Sequence, residues 1–147
     1  MRGNEGKLID KVHRQLARLR NPSVYHQKMN MAPGSTAGTP DVYYETKGSC
    51  LWVEYKYVPD WSNKRKLPLS GLSHNQVAWL ERAANNGINC ALLIGDAQGN
   101  CLVLANEQLK DIQALHSTLS VEEAKKQALS TKPKDAALRI QAAQLSK

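Results

Sequence analysis

Three residues in the first half of the chain combine into a chemistry: Asp41, Glu54 and Lys56. Glu54 and Lys56 lie two apart in Leu51-Trp52-Val53-Glu54-Tyr55-Lys56-Tyr57-Val58, a run that reads as a strand. Side chains alternate across a strand, so Trp52, Glu54, Lys56 and Val58 share one face and Leu51, Val53, Tyr55 and Tyr57 the other. Taken alone, Glu54 and Lys56 are explained by a same-face ion pair at a sheet edge. Asp41 changes the reading. It follows Gly38-Thr39-Pro40 and opens the preceding strand, and a hairpin turning at Lys47-Gly48-Ser49 sets a position near 55 opposite it. Turn chemistry also explains an aspartate there. Two carboxylates converging with a lysine suit a hard divalent cation, Mg²⁺ with Mn²⁺ as substitute, because such ions take oxygen ligands. A cation so held polarises a phosphate oxygen and lowers the pKa of a bound water. A lysine beside it can position the nucleophile or stabilise developing charge.

Two more residues join this set, each with a plainer explanation beside the chemical one. Glu5 stands 4, 7 and 11 residues before Ile9, Val12 and Leu16, at the end of a core-facing helical stripe. It is either a first-turn acid favoured by the helix dipole or a further metal ligand, direct or through water. Gln76 stands three residues after Ser73, the spacing of a capping box. That spacing alone accounts for both residues.

The elements that must position these residues follow from hydrophobic spacing. Residues 4–20 read as an amphipathic helix capped by Asn4 and ended by Asn21-Pro22-Ser23. Residues 23–29 read as a short strand, and 32–40 as a loop rich in Gly and Pro. A strand opens at Val42, and Cys50 to Val58 form the next. Residues 59–72 are irregular and basic. A second helix starts at Ser73 and stops at Asn85-Asn86-Gly87, with Gly as its cap. Ile88 to Ile94 and Cys101 to Leu104 are two further strands around the turn Asp96-Ala97-Gln98-Gly99. The order predicts an α/β fold, a mixed sheet flanked by helices. After Leu104 the pattern turns helical: Asn106 caps a short helix, Ser120-Val121-Glu122-Glu123 has the form of a capping box, and Pro133 to Leu145 form a third. The expected division is therefore a core over 1–104 and a helical extension over 105–147.

Composition is compatible with one packed domain: 147 residues, 41% hydrophobic and 22% charged. No apolar run reaches the roughly 18 residues that span a membrane, and the first residues lack a secretory apolar segment, so a cytoplasmic location is expected. Cys50, Cys90 and Cys101 have no metal-site or disulfide spacing and read as free, buried thiols. His13, His26, His74 and His116 show no metal-ligand spacing either; His74 alone lies beside Gln76. Net charge is +7, and its placement matters more than its size. Through residue 66 there are twelve Lys and Arg against six Asp and Glu; residues 67–104 hold one against two, and the remainder seven against five. The positive excess lies with the candidate chemistry, which favours a polyanion.

In order, then, the chain carries Glu5 in a first helix, Gly38-Thr39-Pro40-Asp41 at a strand start, Glu54-Tyr55-Lys56 in the next strand and Leu72-Ser73-His74-Asn75-Gln76 opening a helix. This order resembles the PD-(D/E)XK nuclease superfamily, and the G-x-P-D, E-x-K and S-x-x-Q elements look most like its VRR-NUC branch. The resemblance covers about residues 5–104. It implies a restriction-endonuclease-like fold, with Asp41, Glu54 and the Tyr55 carbonyl as metal ligands, Lys56 catalytic and Gln76 at the edge of the site. It implies a metal-dependent endonuclease that cuts DNA. The branch includes small homodimeric enzymes acting on branched or junction DNA, often phage-encoded, and a bacterial or phage source is the matching expectation.

DNA contact is expected from Lys64-Arg65-Lys66 with Trp61 nearby, and from Arg14 and Arg18 along the first helix, as phosphate contacts guided by shape and weakened by salt. Two other readings remain. The fold binds nucleic acid without cutting it, or its activity depends on a partner protein engaged through 105–147.

Overall fold

The computed structural model describes residues 4–18, 25–29, 38–46, 48–60, 71–99 and 101–115. The first helix, α1 (Asn4–Arg18), buries Leu8, Ile9, Val12 and Leu16, the stripe that its periodicity predicts. Strands β1 (Tyr25–Lys28), β2 (Val42–Thr46) and β3 (Ser49–Tyr57) form an antiparallel meander. The hairpin between β2 and β3 turns at Gly48, whose φ of +79° suits a residue without a Cβ. Helix α2 (His74–Asn85) crosses over to β4 (Cys90–Gly95), which pairs parallel to β3, and β5 (Cys101–Ala105) returns antiparallel. The sheet order is β1-β2-β3-β4-β5.

Two cores sandwich this sheet. The α1 stripe packs against Val42, Tyr44, Leu51, Val53 and Tyr55 on one face. On the other face α2 brings Val77, Leu80 and Ala84 onto Leu92, Ile94, Leu102 and Leu104. Interior strand β4, between β3 and β5, is buried on both faces, which is why its sequence is an unbroken apolar run. At its end Gly95 lies so close to Leu8 that a Cβ there would stand 2.7 Å from a Leu8 methyl. That contact seats the start of α1 over the ends of β3 and β4.

Several sequence expectations shift here. Ile88 is not the start of a strand. It is 43% exposed, and its N–H donates to the Ala83 carbonyl while the Gly87 N–H donates to Ala84. This is a Schellman ending with Gly87 at φ +76°, so the strand begins only at Cys90. Asn106 does not cap a helix. Ala105 holds that place, and Asn106 has φ +51° inside a short 3-10 turn, Asn106–Leu109. Its side-chain oxygen accepts from the Cys90 N–H at 3.1 Å, and its amide donates to Asn89 at 2.9 Å. Asn106 therefore ties the end of β5 to the start of β4. Leu109 and Ile112, the latter in the short helix α3 (Ile112–Leu115), join the α2-side core. Residues 116–147, most of the expected extension, lie outside the described residues. Cys90 and Cys101 are buried free thiols as expected, but Cys50 is only half-buried. No helix among the described residues is long and apolar enough to cross a membrane.

Candidate active site

The site forms at one end of the sheet, where β2 begins and β3 runs on past it. The last β2–β3 partners at this end are Val42 and Val53. One step further sets Asp41 opposite Glu54, one residue from the position that the turn at Gly48 predicts. On the β1 side the Asp41 carbonyl accepts the Met29 N–H at 2.7 Å and extends the ladder, but the β2–β3 register stops at Val42. There the Asp41 carboxylate oxygen Oδ2 accepts the Tyr55 N–H at 2.8 Å instead. The strand pair thus ends in a side chain, and the carboxyl is held against β3 by the group it caps.

Glu54 is 1% exposed, on the α2 side of the sheet. Its Oε2 accepts from Gln76 Nε2 at 2.8 Å. Its Oε1 is buried and accepts no hydrogen bond among the described residues, and the Asp41 carboxyl lies within hydrogen-bonding reach of the Glu54 carboxyl. Burial first, and the Asp41 carboxylate second, push its pKa up to about 9, against the opposing pull of Lys56. Asp41 is raised as well, by burial, although the Tyr55 N–H works against the shift. Lys56 Nζ stands 3.9 Å from Glu54 Oε2 and 3.9 Å from Glu5 Oε2, ion-pair distances too long for hydrogen bonds. Glu5, from α1, is raised by burial, with Lys56 opposing. The end of the sheet thus gathers three acids, each pushed toward its neutral form, around one ammonium.

Gln76 makes the capping box and also reaches Glu54. Its N–H donates to Ser73 Oγ at 3.1 Å, and its Oε1 accepts the Ser73 N–H at 2.8 Å, the reciprocal capping box. With Oε1 so engaged, Nε2 is left to reach Glu54. One amide starts the helix and touches the carboxylate.

Beneath the site Tyr55 is held at its other end. Its hydroxyl bonds to the Tyr44 hydroxyl, both rings fully buried, and the Tyr44 hydroxyl shares a 2.8 Å hydrogen bond with His13 Nε2. His13 stacks on His26 at 3.8 Å, and burial, then His26, lower its pKa to about 4. His13 and His26 are therefore parts of a packed network and not metal ligands. Tyr44→Phe would strand the Tyr55 hydroxyl in the core. The expected loss is about 1–3 kcal/mol of stability, read by thermal or urea denaturation. Tyr44→Phe/Tyr55→Phe should lose less than the two single changes added together. Strict additivity would show that the hydroxyls are not coupled.

The expected DNA contacts divide. Lys64, Arg65, Lys66 and Trp61 lie outside the described residues. Arg14 and Arg18 are exposed on α1, and they continue a line with Lys7 and Lys11, also exposed, at offsets of 4, 7 and 11 residues. Spacing alone could have shown this four-residue basic stripe, opposite the Leu8-Val12-Leu16 face. Lys7 and Lys11 also line a cleft of about 170 Å³ with Asn4, Tyr57 and Gly99, next along the chain from Glu5 and Lys56. A second missed feature is aromatic: Tyr43, Trp52 and Trp79 form a chain with ring centroids 4.9 and 5.4 Å apart.

Comparison of the sequence with family models and with curated proteins gives no match. The structure does match a solved one. It is similar to Hjc of Archaeoglobus fulgidus, a Holliday junction resolvase, at a TM-score of 0.52 and 17% identity over 88% of this chain and 98% of that one. The fold is restriction-endonuclease-like: a mixed sheet flanked by helices.

Proposed function

We propose that this chain is a metal-dependent endodeoxyribonuclease of the PD-(D/E)XK kind, in the manner of the VRR-NUC branch, selective for branched or junction DNA. The observation that carries the reading is Glu54. A buried carboxyl within hydrogen-bonding reach of a second carboxyl and under a lysine is costly to ionise. A divalent cation would relieve that cost. Asp41, Glu54 and the Tyr55 carbonyl would hold Mg²⁺ or Mn²⁺, with Glu5 adding a ligand directly or through water. The donor set fits, being oxygen throughout. When bound, the ion supplies a polarised phosphate oxygen and a more acidic water.

The chain's own groups have separate tasks. Asp41 and Glu54 provide negative charge that must be ionised to bind a cation. Gln76 fixes the Glu54 rotamer from one side. Lys56 Nζ sits between Glu54 and Glu5, where it can orient a nucleophile or meet charge developing on a phosphate. The basic stripe on α1 supplies phosphate contacts whose strength falls steeply with salt. The name of the structural match, a junction resolvase, agrees with a branched substrate. A homodimer would present two sites to two strands.

One observation favours the non-cleaving alternative. Among the described residues no group of three or more His, Cys, Asp or Glu side chains is spaced to hold a metal. One experiment separates the two. The protein and Lys56→Ala are incubated with labelled single-stranded, duplex, flap and four-way-junction DNA in Mg²⁺, Mn²⁺ or EDTA. The expected result is metal-dependent cutting, strongest on the junction, reduced by at least about 100-fold in Lys56→Ala, in the range for a lost charge-stabilising group. Binding without cutting on every substrate would favour the binding module, and cutting that needs a second protein would favour the partner-dependent form.

A further inference from the structure

The α2-side face of the sheet is ordered in rows. Partners across β2 and β3 lie opposite each other, and α2 repeats its face every three to four residues. Asp41, Glu54 and Gln76 make the first row. Two residues along each strand, about 6.6 Å away, and three along the helix, comes the second: Tyr43, Trp52 and Trp79. The first row binds charge, whereas the second is aromatic throughout. Tyr43 and Trp52 are direct partners, their rings 4.9 Å apart, and Trp52 lies 5.4 Å from Trp79. None of the three is fully buried. The two indoles are partly buried and pack against the α2-side core.

Two further details mark the row as a prepared surface. The Tyr43 hydroxyl donates to Glu45 Oε2 at 2.7 Å, which holds the ring upright. Arg82 lies over the Trp79 ring at 5.1 Å, adding a cation beside the aromatics. On the neighbouring edge strand β1, Tyr25 lies on the same side, 55% exposed, diagonal to Tyr43. Among the described residues no element covers the sheet face over β1 and β2, which leads from the carboxylates.

We propose that this row is a stacking platform for unpaired nucleobases of the strand whose backbone lies at Asp41 and Glu54. This rests on the nuclease reading and narrows its substrate: DNA in which bases next to the scissile phosphate are free of their partners, as at a branch point or bulge. Aromatic faces hold bases without regard to sequence, because every base has a π-face. Stacked bases inside a duplex are not available to such a row. Selection of branched DNA then follows from which substrates can lend a base, not from reading a sequence.

The test measures binding in EDTA, so that cleavage plays no part. Three probes are used: a blunt duplex, and the same duplex carrying a three-nucleotide bulge with either 2-aminopurine or abasic sites at the bulged positions. Wild-type protein is expected to prefer the bulge with bases over the abasic bulge by on the order of tenfold. It should also quench 2-aminopurine fluorescence. Tyr43→Ala and Trp79→Leu are each expected to lower that preference ratio about tenfold, with circular dichroism and melting confirming a folded protein. Equal affinity for the two bulges, or variants that lose affinity for all three probes alike, overturns the platform. So does a dimer in sedimentation that Tyr43→Ala converts to monomer, which would assign the row to a second copy of the chain. A preference for unpaired bases in a protein that never cuts leaves the platform standing and removes the nuclease. Metal-dependent cutting without the preference does the reverse.

Discussion

Gly38→Ala is expected to lower stability by at least about 1–3 kcal/mol and to move Gln76 off Glu54. Gly38 has φ +87°, a left-handed conformation that costs other residues about that much. The steric problem adds to it. A Cβ at this position would stand 2.4 Å from the Asn75 carbonyl oxygen and 2.5 Å from its carbon. These are backbone atoms in the first turn of α2, and they cannot rotate away. The Gly38 loop and the start of α2 must separate, and they carry Asp41 and Gln76 respectively. Gly48→Ala is the matched control. Its φ of +79° is similar, but nothing lies within 4 Å of the added Cβ. Denaturation curves of the two variants give the backbone cost from Gly48→Ala and the clash by difference. Cleavage should fall in Gly38→Ala and hold in Gly48→Ala under conditions where both are folded. Equal stability losses would show that the loop and helix part without cost.

The metal-free protein is expected to lose stability as pH rises from 5 to 9, and Glu54→Gln is expected to remove most of that slope. The Glu54 carboxyl titrates near 4.5 when unperturbed and near about 9 in the fold. Between those values the folded state holds a proton that the unfolded state has lost. Unfolding free energy therefore falls with pH, by at most about 1.4 kcal/mol per pH unit. The contribution is whole below 4.5 and gone above 9. Asp41 and Glu5, also raised, act in the same direction and leave a smaller residual slope in Glu54→Gln. A divalent cation bound at the proposed site would reverse the pattern, because its ligands must be ionised. Mn²⁺ should raise the melting temperature more at pH 8 than at pH 5, with proton release measurable by calorimetry in two buffers. A slope unchanged by Glu54→Gln would place the titration elsewhere.

Much of the fold was legible because its signals are local. Leu8, Ile9, Val12 and Leu16 announce a helix with one buried face, and the alternation from Leu51 to Val58 assigns each side chain to a face that the structure keeps. The mixed sheet flanked by helices followed from the order of such segments. Ile88 and Asn106 misled for a shared reason. Each looks like part of the segment it adjoins, but its role is set by a distant partner: the Ala83 carbonyl for Ile88, the Cys90 N–H for Asn106. At the candidate site, spacing brought Asp41 to within one position of its observed partner and gave the capping box of Gln76, which is present. It could not show that the same amide reaches Glu54 or that Glu54 is buried against Asp41, since those depend on how α2 sits on the sheet. The aromatic row was hidden differently. Tyr43, Trp52 and Trp79 lie in three separate elements, and only the register of β2 on β3 and the placement of α2 make them neighbours.

The capping box at α2 ties a dynamic property to the chemistry. Helix ends open and close far more often than whole domains unfold, and the first turn is among the least protected parts of a helix. Here that turn is closed by the same amide that touches Glu54. Each time the Gln76 side chain leaves the box, Glu54 is free to lose the Nε2 donor that the same amide carries. The rate at which the Ser73 backbone N–H, held by Gln76 Oε1, exchanges with solvent is thus a clock for how often that contact can come apart, readable without substrate, metal or turnover.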